Sequence, residues 1–556
     1  MENKIIFKPI AATEKCFLDE SIHDKALFER ASMLRGERFS FQLACQCEGE
    51  PRAEREIGLR IGGDIATWVK ISRVDHVPVR FATYRDCTDT NYLRTAPGLY
   101  PDLLNPVTES SYLMLMDRMT DACLQSFWVD IRVPEDAPAG EHTLTFALTY
   151  EETVLAETAF TAEVIPAVLP KQKLKFTQWF HCDCLADYYG VEMLSERHWE
   201  IIESFMRTAA DNGINMLLTP VFTPPLDTKI GAQRPTCQLV GVKREKGEWS
   251  FDFALLDRWV KLCLDCGVEY FEISHLFTQW GAKHAPKVMA TVDGVYQQVF
   301  GWDTDAGDDA YAGFLGQFIP ALVERMTRLG VGDRMVFHVS DEPSREQLES
   351  YSKAKKIISD ALSGQPIMDA LSDFDFYQQG VVETPVVALD HIDPFLQAGV
   401  ENLWGYYCCG QYREVSNRFL AMPTARNRIA GAQIYKYRLA GFLQWGYNFY
   451  YSCGSVERIN PYVVNDGGNW VPAGDAFSVY PGPGGKALES IHMLGFTHAL
   501  QDLRAMELAE SLCGRETVLA LLEEGIEPIT FRQYPRSQDY ILQTREKLNR
   551  LIAAHI

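Results

Sequence analysis

The sequence predicts a multidomain protein in three parts: an N-terminal β-sandwich, a central (β/α)8 TIM-like barrel, and a C-terminal loop and helical segment. Two changes of pattern along the 556 residues support this division. Residues 1–170 hold short strand-like segments separated by turns, whereas residues 171–455 alternate strand-like with helical segments. Residues 456–556 begin with a long loop and end with amphipathic helical patterns that we expect to pack on the barrel.

The N-terminal part has strand-like segments at 39–45, 125–133 and 142–148, with turn residues between them as at 138–141. Regularly spaced short strands of this kind are typical of a β-sandwich. Such a domain either binds a ligand or supports its neighbour. We favour support, because no acid and base groups cluster in it. Two prolines between 164 and 170 indicate an extended connection to the next part.

The central part contains eight strand-like segments, and helical patterns or helical turns separate most of them. The segments are 174–180, 214–219, 268–273, 335–339, 366–370, 385–389, 402–407 and 442–448. Repeated strand–helix units imply a parallel sheet, and eight of them suit a (β/α)8 barrel. A doubly wound open sheet is the alternative. Such a sheet usually has a glycine-rich nucleotide-binding turn after its first strand, and none follows Phe180.

The C-terminal part opens with loop 461–485, which is rich in glycine, proline and asparagine but also contains aromatic residues. A loop of this length is usually functional or disordered, and the aromatic residues argue against disorder. We therefore expect it to fold near the mouth of the barrel. Helical patterns follow at 487–513, 515–524 and 537–554.

Composition limits the classes of partner. The formal net charge is −22 with no long basic run, so nucleic acid and anionic membranes are not expected partners. No apolar run reaches the length of a membrane span, and residues 1–9 lack the apolar core of a secretory signal. We therefore expect a cytoplasmic protein with reduced thiols, and no oligomer is predicted.

Two short clusters contain the residue types of a metal site. They are residues 181–184, with one His, two Cys and one Asp, and the pair Cys263 and Cys266 in a predicted helix. Neither has a second cluster at matching spacing, and an isolated C-x-x-C is a weak signal. We expect buried thiols at both places and predict no metal and no cofactor.

The strongest functional signal is the acidic pair Asp341 and Glu342 at the end of the fourth predicted strand. Pro343 follows, and its missing amide donor ends the strand pairing there. The carboxyl ends of barrel strands form the face where catalysis takes place. The alternative interpretation is a helix cap, because negative groups are also favourable at a helix N-terminus.

A glycosidase needs an acid for the departing oxygen and a group that stabilises the oxocarbenium-like centre. Barrel glycosidases with a double displacement commonly place the acid after strand four and a nucleophilic Glu after strand seven. Glu342 fits the first place, but Glu401 lies at the wrong end of the seventh strand. The missing nucleophile predicts substrate-assisted catalysis, in which the sugar's 2-acetamido oxygen attacks its own anomeric carbon. For Asp341 and Glu342 both to reach one sugar, the strand has to end or bulge there.

Three stretches carry a family resemblance: residues 338–343, 445–448 and 474–483. They resemble the domain family DUF4091, which is related to glycoside hydrolase family 123, the β-N-acetylgalactosaminidases. The resemblance covers about 171–520, and a preceding β-sandwich is also typical. Ala476 stands where the family usually has glycine, a small departure that we expect to leave the loop intact.

The resemblance implies that Asp341 positions the acetamido group and that Glu342 is the general acid and then the base. The other candidate residues follow the predicted strands and are assigned to the sugar. We expect Trp404 and Trp445 to line the sugar subsite, Tyr406 to bond the acetamido oxygen, Asn448 and Asp475 to bind ring hydroxyls, and His181, His275 and Trp280 to shape the floor or the leaving-group side.

The sequence therefore predicts an exo-acting β-N-acetylhexosaminidase acting on a glycan or glycoside, with β-N-acetylgalactosamine favoured. Two alternatives stay open: a glycosidase for a sugar without an acetamido group, and a glycan-binding barrel without turnover. The acid step requires a protonated Glu342 beside a charged Asp341, and repulsion between neighbouring like charges favours such unequal protonation.

Overall fold

The computed structural model describes residues 4–48, 55–107, 113–115, 123–150, 153–362 and 364–556. Residues 1–3 lie outside these ranges. They are part of segment 1–9, on which the prediction of no secretory signal was based. None of the helices within the ranges combines the length and the apolar character that crossing a bilayer requires.

The described N-terminal residues form two five-stranded sheets. The strands are β1 (Lys4–Ala11), β2 (Arg30–Arg35), β3 (Arg38–Glu48), β4 (Arg55–Gly62), β5 (Val69–Val79), β6 (Gly98–Pro106), β7 (Leu113–Leu115), β8 (Gln125–Arg132), β9 (Gly140–Tyr150) and β10 (Thr153–Val168). The sheet orders are β1-β3-β8-β5-β6 and β2-β10-β9-β4-β7. Phe41 of the first sheet stacks on Phe160 of the second with ring centroids 4.0 Å apart, so the two sheets share a core. The sheet-rich N-terminal region is thus confirmed.

Fourteen further strands follow in the described residues. They are β11 (Lys175–Gln178), β12 (Met216–Thr219), β13 (Gly241–Glu245), β14 (Glu248–Asp252), β15 (Tyr270–Ile273), β16 (Val288–Val292), β17 (Val295–Phe300), β18 (Met335–Val336), β19 (Met368–Ala370), β20 (Thr384–Ala388), β21 (Trp404–Tyr406), β22 (Gly441–Gln444), β23 (Tyr480–Pro481) and β24 (Ala487–Leu488). Hairpins β13–β14 and β16–β17 join into a separate four-stranded sheet that the sequence did not predict.

Eight of these strands form one parallel sheet in the order β18-β15-β12-β11-β22-β21-β20-β19. A parallel bridge between Phe337 and Ile367 links its two ends, so the sheet is a nearly closed barrel whose strands follow chain order. Each of the eight predicted strands overlaps one barrel strand. Most of the barrel-strand residues are fully buried, as expected for a parallel sheet covered on both faces.

The helices are distributed unevenly around the barrel. They are α1 (Cys182–Tyr189), α2 (Glu196–Asp211), α3 (Ala254–Cys266), α4 (Asp309–Arg328), α5 (Leu348–Leu362), α6 (Asp375–Gln378), α7 (Asp393–Gln397), α8 (Thr424–Arg428), α9 (Ala430–Tyr437), α10 (Ile491–Cys513), α11 (Arg515–Leu522) and α12 (Gln538–Ala553). Only the single-turn helices α6 and α7 follow β19 and β20 in the described chain, so the regular alternation of an ideal (β/α)8 barrel is not shown.

Local sequence signals account for several helix boundaries. Ser195 caps α2, where its Oγ accepts a hydrogen bond from the His198 amide. Gly267 ends α3 with a φ of 96°, in the left-handed region that favours glycine. Asp308 caps α4 in the same way as Ser195 caps α2. Each of these contacts joins residues that are only a few positions apart in the sequence.

The C-terminal segment connects the barrel to the N-terminal sheets. Helix α10 is buried on most of its faces rather than amphipathic, because it lies between the two regions. Its Phe496 ring packs on Phe176 of β11 at 4.6 Å, and its Gln501 accepts a bond from the Arg38 amide of β3. The domain boundaries at 170 and 455 remain our proposal.

Candidate active site

The acidic pair lies at the mouth of the barrel. Residues 337–340 continue β18 and stay hydrogen-bonded to neighbouring strands, and the pair follows directly. Asp341 is 5% exposed, whereas Glu342 is exposed. Glu342 has a φ of 42°, which non-glycine residues seldom adopt. The backbone therefore turns at the pair, and this breaks the alternation that would send the two side chains to opposite faces.

Asp341 is held by the loop that follows the third barrel strand. Gln279 Nε2 donates to Asp341 Oδ2 at 2.7 Å, and the Trp280 amide donates to the Asp341 carbonyl at 3.1 Å. Burial raises the pKa of Asp341 well above its usual range, and the negative charges of Glu342 and Asp227 add to this effect. Of the two adjacent carboxyl groups, Asp341 is therefore the buried one and Glu342 the exposed one.

Glu342 contacts the seventh barrel strand. The Tyr406 hydroxyl donates to Glu342 Oε1 at 2.5 Å and lies 3.4 Å from Ser372 Oγ. Burial and the Glu342 charge raise the pKa of Tyr406 well above its usual range, so Tyr406 stays a neutral donor. The donor predicted for the acetamido oxygen is thus bound to the predicted acid.

Two more carboxyl groups lie close to the pair. Burial raises the pKa of Asp475 to about 7, although Arg418 and a hydrogen bond from Trp445 oppose the shift. Burial likewise raises the pKa of Asp227 to about 7, with Arg234 opposing and Glu342 adding. Asp475 was predicted as a site residue, but Asp227 was not. Its sequence signal is weak, since an aspartate in a loop after a barrel strand is common.

An aromatic wall stands beside Asp475. It consists of Trp445, Phe449 and Trp470, whose ring centroids are 5.3 to 6.1 Å apart. Trp445 Nε1 donates to Asp475 Oδ2 at 2.8 Å, and no described residue bonds the buried Asp475 Oδ1. Trp470 comes from the long C-terminal loop, which therefore reaches this wall.

Trp404 lies deeper in the barrel than the acidic pair. It is 3% exposed, and a Cβ added to Gly441 would come within 2.3 Å of its ring, so the indole lies across that glycine. Trp404 precedes Tyr406 by two residues on the same face of β21, roughly 7 Å further from the mouth. The structure does not bring Trp404 together with the acidic pair, and its role against the sugar stays a prediction.

Asn448 and His181 brace each other at the base of the site. The Asn448 amide accepts a bond from the His181 amide at 2.8 Å and donates to the His181 carbonyl at 3.0 Å. Both ends of the Asn448 side chain are thus occupied, which leaves little for a ring hydroxyl. Burial, together with the nearby Arg234, holds the pKa of His181 well below its usual range, so its ring is neutral.

Trp280 is placed differently from the other tryptophans. It is 49% exposed and has a φ of 55°, and it is the one exposed tryptophan of the eleven, all of which lie in described ranges. Its amide bond to Asp341 keeps it next to the acidic pair. An exposed indole at this point suits the leaving-group side better than the floor, which were the two places predicted for it.

His275 is buried beneath the mouth, against His338. The two rings stack with centroids 4.3 Å apart and an interplanar angle of 17°, and no described residue bonds either His275 nitrogen. Together with Asp369 they offer ligand atoms within 4.8 Å of one another. Nitrogen lone pairs lie in the ring planes, and two nearly parallel planes do not converge on one ion, so the geometry does not favour a metal here.

The cysteine clusters also fit metal binding poorly. Burial raises the pKa of Cys184 well above the usual thiol range, and the charge of Asp183 adds. Burial does the same for Cys263 in α3. Because the thiolate is the form that binds metals, a raised thiol pKa disfavours coordination at both places.

His338 sits between two buried carboxylates inside the barrel. Its Nε2 donates to Glu272 Oε1 at 2.7 Å and its Nδ1 to Asp369 Oδ1 at 3.2 Å. Burial lowers the pKa of His338, but these two carboxylates outweigh it and raise the pKa to about 10. The barrel interior below the acidic pair therefore carries an imidazolium.

We expect His338→Gln to destabilise the protein by about 3–5 kcal/mol, because it leaves buried carboxylates without their cation. A histidine with a raised folded pKa contributes stability that is complete below its unfolded pKa and is lost as pH rises through its folded pKa. Between roughly pH 6.5 and pH 10 the wild-type stability should therefore fall more steeply than that of the variant.

Urea unfolding at pH 6, 8 and 9.5 measures this difference. His391→Gln is the matched control, because its exposed ring contacts only the adjacent Asp390 among described side chains. Equal slopes for wild type and His338→Gln across this pH range would contradict the assigned imidazolium.

The model of the glycoside hydrolase 123 catalytic domain matches residues 179–509, which is more than half of the chain. A solved structure of a family 123 glycoside hydrolase from Clostridium perfringens, reported for glycolipid glycan hydrolysis, aligns with a TM-score of 0.74 at 12% identity, over 99% of this chain and 98% of that chain. At this identity the likeness concerns the fold.

Two other solved structures align less well. A putative β-galactosidase from Bacteroides fragilis has a TM-score of 0.32 at 8% identity, covering 83% of this chain and 58% of that chain. A family 39 glycoside hydrolase from Bacteroides cellulosilyticus has a TM-score of 0.32 at 9% identity, covering 78% and 77%. A search of curated protein sequences finds no match to the chain.

Proposed function

The chain belongs to glycoside hydrolase family 123, and on that basis we propose that it is an exo-acting β-N-acetylhexosaminidase with a preference for β-N-acetylgalactosaminides. It is a glycoside hydrolase, and the proposal concerns its sugar and its mechanism. We propose retaining catalysis in which the substrate's own 2-acetamido group is the nucleophile.

The observation that carries this proposal is the contrast between the fourth and seventh barrel strands. The fourth strand ends in adjacent carboxyl groups, Asp341 and Glu342. The seventh strand, where a nucleophilic Glu would stand, ends in Tyr406, and its hydroxyl bonds Glu342. A tyrosine in this place supports a mechanism that needs no protein nucleophile from strand seven.

The proposed reaction runs in two steps. First, Glu342 donates its proton to the glycosidic oxygen while the acetamido oxygen attacks the anomeric carbon and the leaving group departs. Asp341 accepts the acetamido N–H and stabilises the positive charge of the oxazolinium. Then Glu342 removes a proton from water, and the water oxygen attacks the anomeric carbon. The bond from that carbon to the acetamido oxygen breaks, so the acetamido group is regenerated and the sugar is released with its configuration retained.

The acid step needs the proton on Glu342 and the charge on Asp341. In the free protein, burial raises the pKa of Asp341 well above its usual range. A bound sugar changes both surroundings, since it covers the exposed Glu342 and brings an amide N–H to Asp341. Burial favours the neutral acid and a donated hydrogen bond favours the carboxylate, so substrate binding moves the proton toward Glu342.

A second candidate is favoured by Asp227 and Asp475. These carboxyl groups lie within the electrostatic reach of Glu342 and give the site two further possible nucleophiles. A glycosidase for a sugar without an acetamido group would use one of them. In that case a glycosyl-enzyme should be trapped in the wild type and be absent from whichever variant, Asp227→Asn or Asp475→Asn, lacks the nucleophile.

A panel of aryl glycosides tests the proposed function. We expect hydrolysis of aryl β-N-acetylgalactosaminide, slower hydrolysis of the β-N-acetylglucosaminide, and none of the β-galactoside, which lacks the internal nucleophile. A thiazoline derived from N-acetylgalactosamine should inhibit, because it resembles the oxazoline intermediate. Hydrolysis of the β-galactoside without thiazoline inhibition would support the second candidate. Tight sugar binding without hydrolysis would point to a glycan-binding barrel.

A further inference from the structure

We propose that Gln279 is a positioning residue that orients Asp341, favours its charged form against the burial that opposes it, and leaves one carboxylate oxygen free for the substrate's amide. The substrate part of this inference rests on the proposed function. The contacts that carry it belong to the free protein and join three barrel strand ends, those of strands two, three and four.

The orientation of the Gln279 amide is determined by a backbone group. The Asp227 amide donates to Gln279 Oε1, and a backbone N–H can only donate. The oxygen of Gln279 must therefore face Asp227, and its NH₂ group must face the opposite way. That group donates to Asp341 Oδ2 at 2.7 Å. A flipped amide would set two donors against each other at Asp227.

The loop that carries Gln279 is attached to the strand that carries Asp341 by two further bonds. Ser340 Oγ donates to the Thr278 carbonyl at 2.9 Å, and the Trp280 amide donates to the Asp341 carbonyl at 3.1 Å. Bonds on both sides of Gln279 restrict its backbone, so the side chain loses little further freedom on holding Asp341.

Backbone strain accompanies this arrangement. Asp227 has a φ of 48° and Trp280 a φ of 55°, both in the left-handed region. Non-glycine residues in this region cost of the order of 1 kcal/mol or more and persist where the surroundings hold them. The two strained residues are the one that donates to Gln279 and the one that follows it. The strained residues therefore lie in the two segments that orient the Gln279 amide.

The Gln279 bond opposes the other influences on Asp341. Burial and the charges of Glu342 and Asp227 favour the neutral acid, whereas the Gln279 bond and the more distant His338 imidazolium favour the carboxylate. The described residues donate no bond to Asp341 Oδ1. With Oδ2 occupied and Oδ1 free, the carboxylate has one oxygen left for an acetamido N–H.

Two variants and a control test this role. Gln279→Leu removes the donor, and Gln279→Glu keeps the size but places a second negative group on Asp341. Gln233→Leu is the control, because Gln233, in the loop after β12, bonds only Gln298 of β17 among described side chains. Circular dichroism and thermal unfolding establish that each variant is folded before its kinetics are compared.

For Gln279→Leu we expect kcat/KM on the aryl β-N-acetylgalactosaminide to fall about 10- to 150-fold, the range for a lost bond to a charged group. The loss should lie in kcat more than in KM. The acid limb of the pH–rate profile should move up by about one to two units, because the charged Asp341 is the working form. Gln279→Glu should lose more, and Gln233→Leu should match the wild type.

A measurement without turnover separates this inference from the proposed function. Infrared difference spectra, with Asp341→Asn as the reference, follow protonation of the Asp341 carboxyl in the free protein. We expect its titration to move to higher pH in Gln279→Leu even if no acetamido sugar is hydrolysed. An unchanged titration together with an unchanged pH–rate profile would overturn the inference. An inactive wild type with a shifted titration would overturn only the proposed substrate.

Discussion

Replacing Glu342 with Gln is expected to lower kcat on β-N-acetylhexosaminides by about 10²- to 10⁴-fold, the usual contribution of a general acid. The amide has the shape of the carboxyl and still accepts the Tyr406 hydroxyl bond seen at 2.5 Å, but it has no proton to donate. Because Glu342 is exposed, folding and stability should change little.

The leaving group makes this prediction specific. An alkyl or sugar aglycone needs protonation as it departs, whereas a dinitrophenolate does not. The loss in Glu342→Gln should therefore be largest for natural aglycones and smallest for the dinitrophenyl glycoside. Glu346→Gln is the matched control, because Glu346 is an exposed carboxyl four residues further along, in the short 3-10 helix Arg345–Gln347. A uniform loss across leaving groups would show that Glu342 is not the acid.

Replacing Asp341 with Asn is expected to lower kcat on acetamido substrates by about 10²- to 10³-fold, the range for losing one electrostatic stabiliser of a transition state. The amide keeps an oxygen for Gln279 but carries no charge to oppose the oxazolinium. Binding of the thiazoline should weaken in parallel, whereas KM should change less.

Substrates whose acetamido oxygen is a weaker nucleophile distinguish a role of Asp341 in substrate assistance from a purely structural role. In the wild type, fluorination of the N-acetyl group weakens the internal nucleophile and should lower kcat steeply. Asp333→Asn, an exposed carboxyl just before the same barrel strand, should leave this dependence unchanged. If Asp341→Asn retained wild-type kcat on the N-acetyl substrate, substrate assistance through Asp341 would be wrong.

Asp341→Asn should also be more stable than the wild type in alkaline solution. A carboxyl with a raised folded pKa favours the folded state while it is protonated and opposes folding once pH exceeds its unfolded pKa. Asn does not ionise and so has no buried charge to destabilise the folded state. The gain in the free energy of unfolding from Asp341→Asn should therefore grow as pH rises. Gain of stability with loss of activity is typical of a residue retained for chemistry.

Much of the barrel could be predicted because its signals are local. Apolar runs of strand length, glycines after helices and Pro343 after the acidic pair act over a few residues. The same holds for the position of Asp341 and Glu342 at the end of the fourth strand. The hairpins β13–β14 and β16–β17 were missed. Strands β13, β14 and β17 are largely exposed and lack the apolar runs used to find the barrel strands, whereas β16 is apolar and partly buried but has only five residues.

The residues that hydrogen-bond the acidic pair could not be predicted from the sequence. Gln279 is 62 positions from Asp341, and Tyr406 is 64 positions from Glu342. Periodicity predicts which residues share a strand face, but depth along the barrel axis depends on how neighbouring strands are staggered. That stagger places Trp404 over Gly441, away from the mouth.

The sequence by itself determined the eight barrel strands and the acidic pair that ends the fourth. Backbone preference and hydrophobic pattern depend on residues that are close together in the sequence. The tertiary structure alone decided which carboxyl is buried and which side chains are already occupied. The Asn448 side chain hydrogen-bonds the His181 backbone, and the Gln279 side chain connects the Asp227 amide to the Asp341 carboxyl. Protonation and hydrogen bonding depend on surroundings assembled from distant segments, and no local pattern records them.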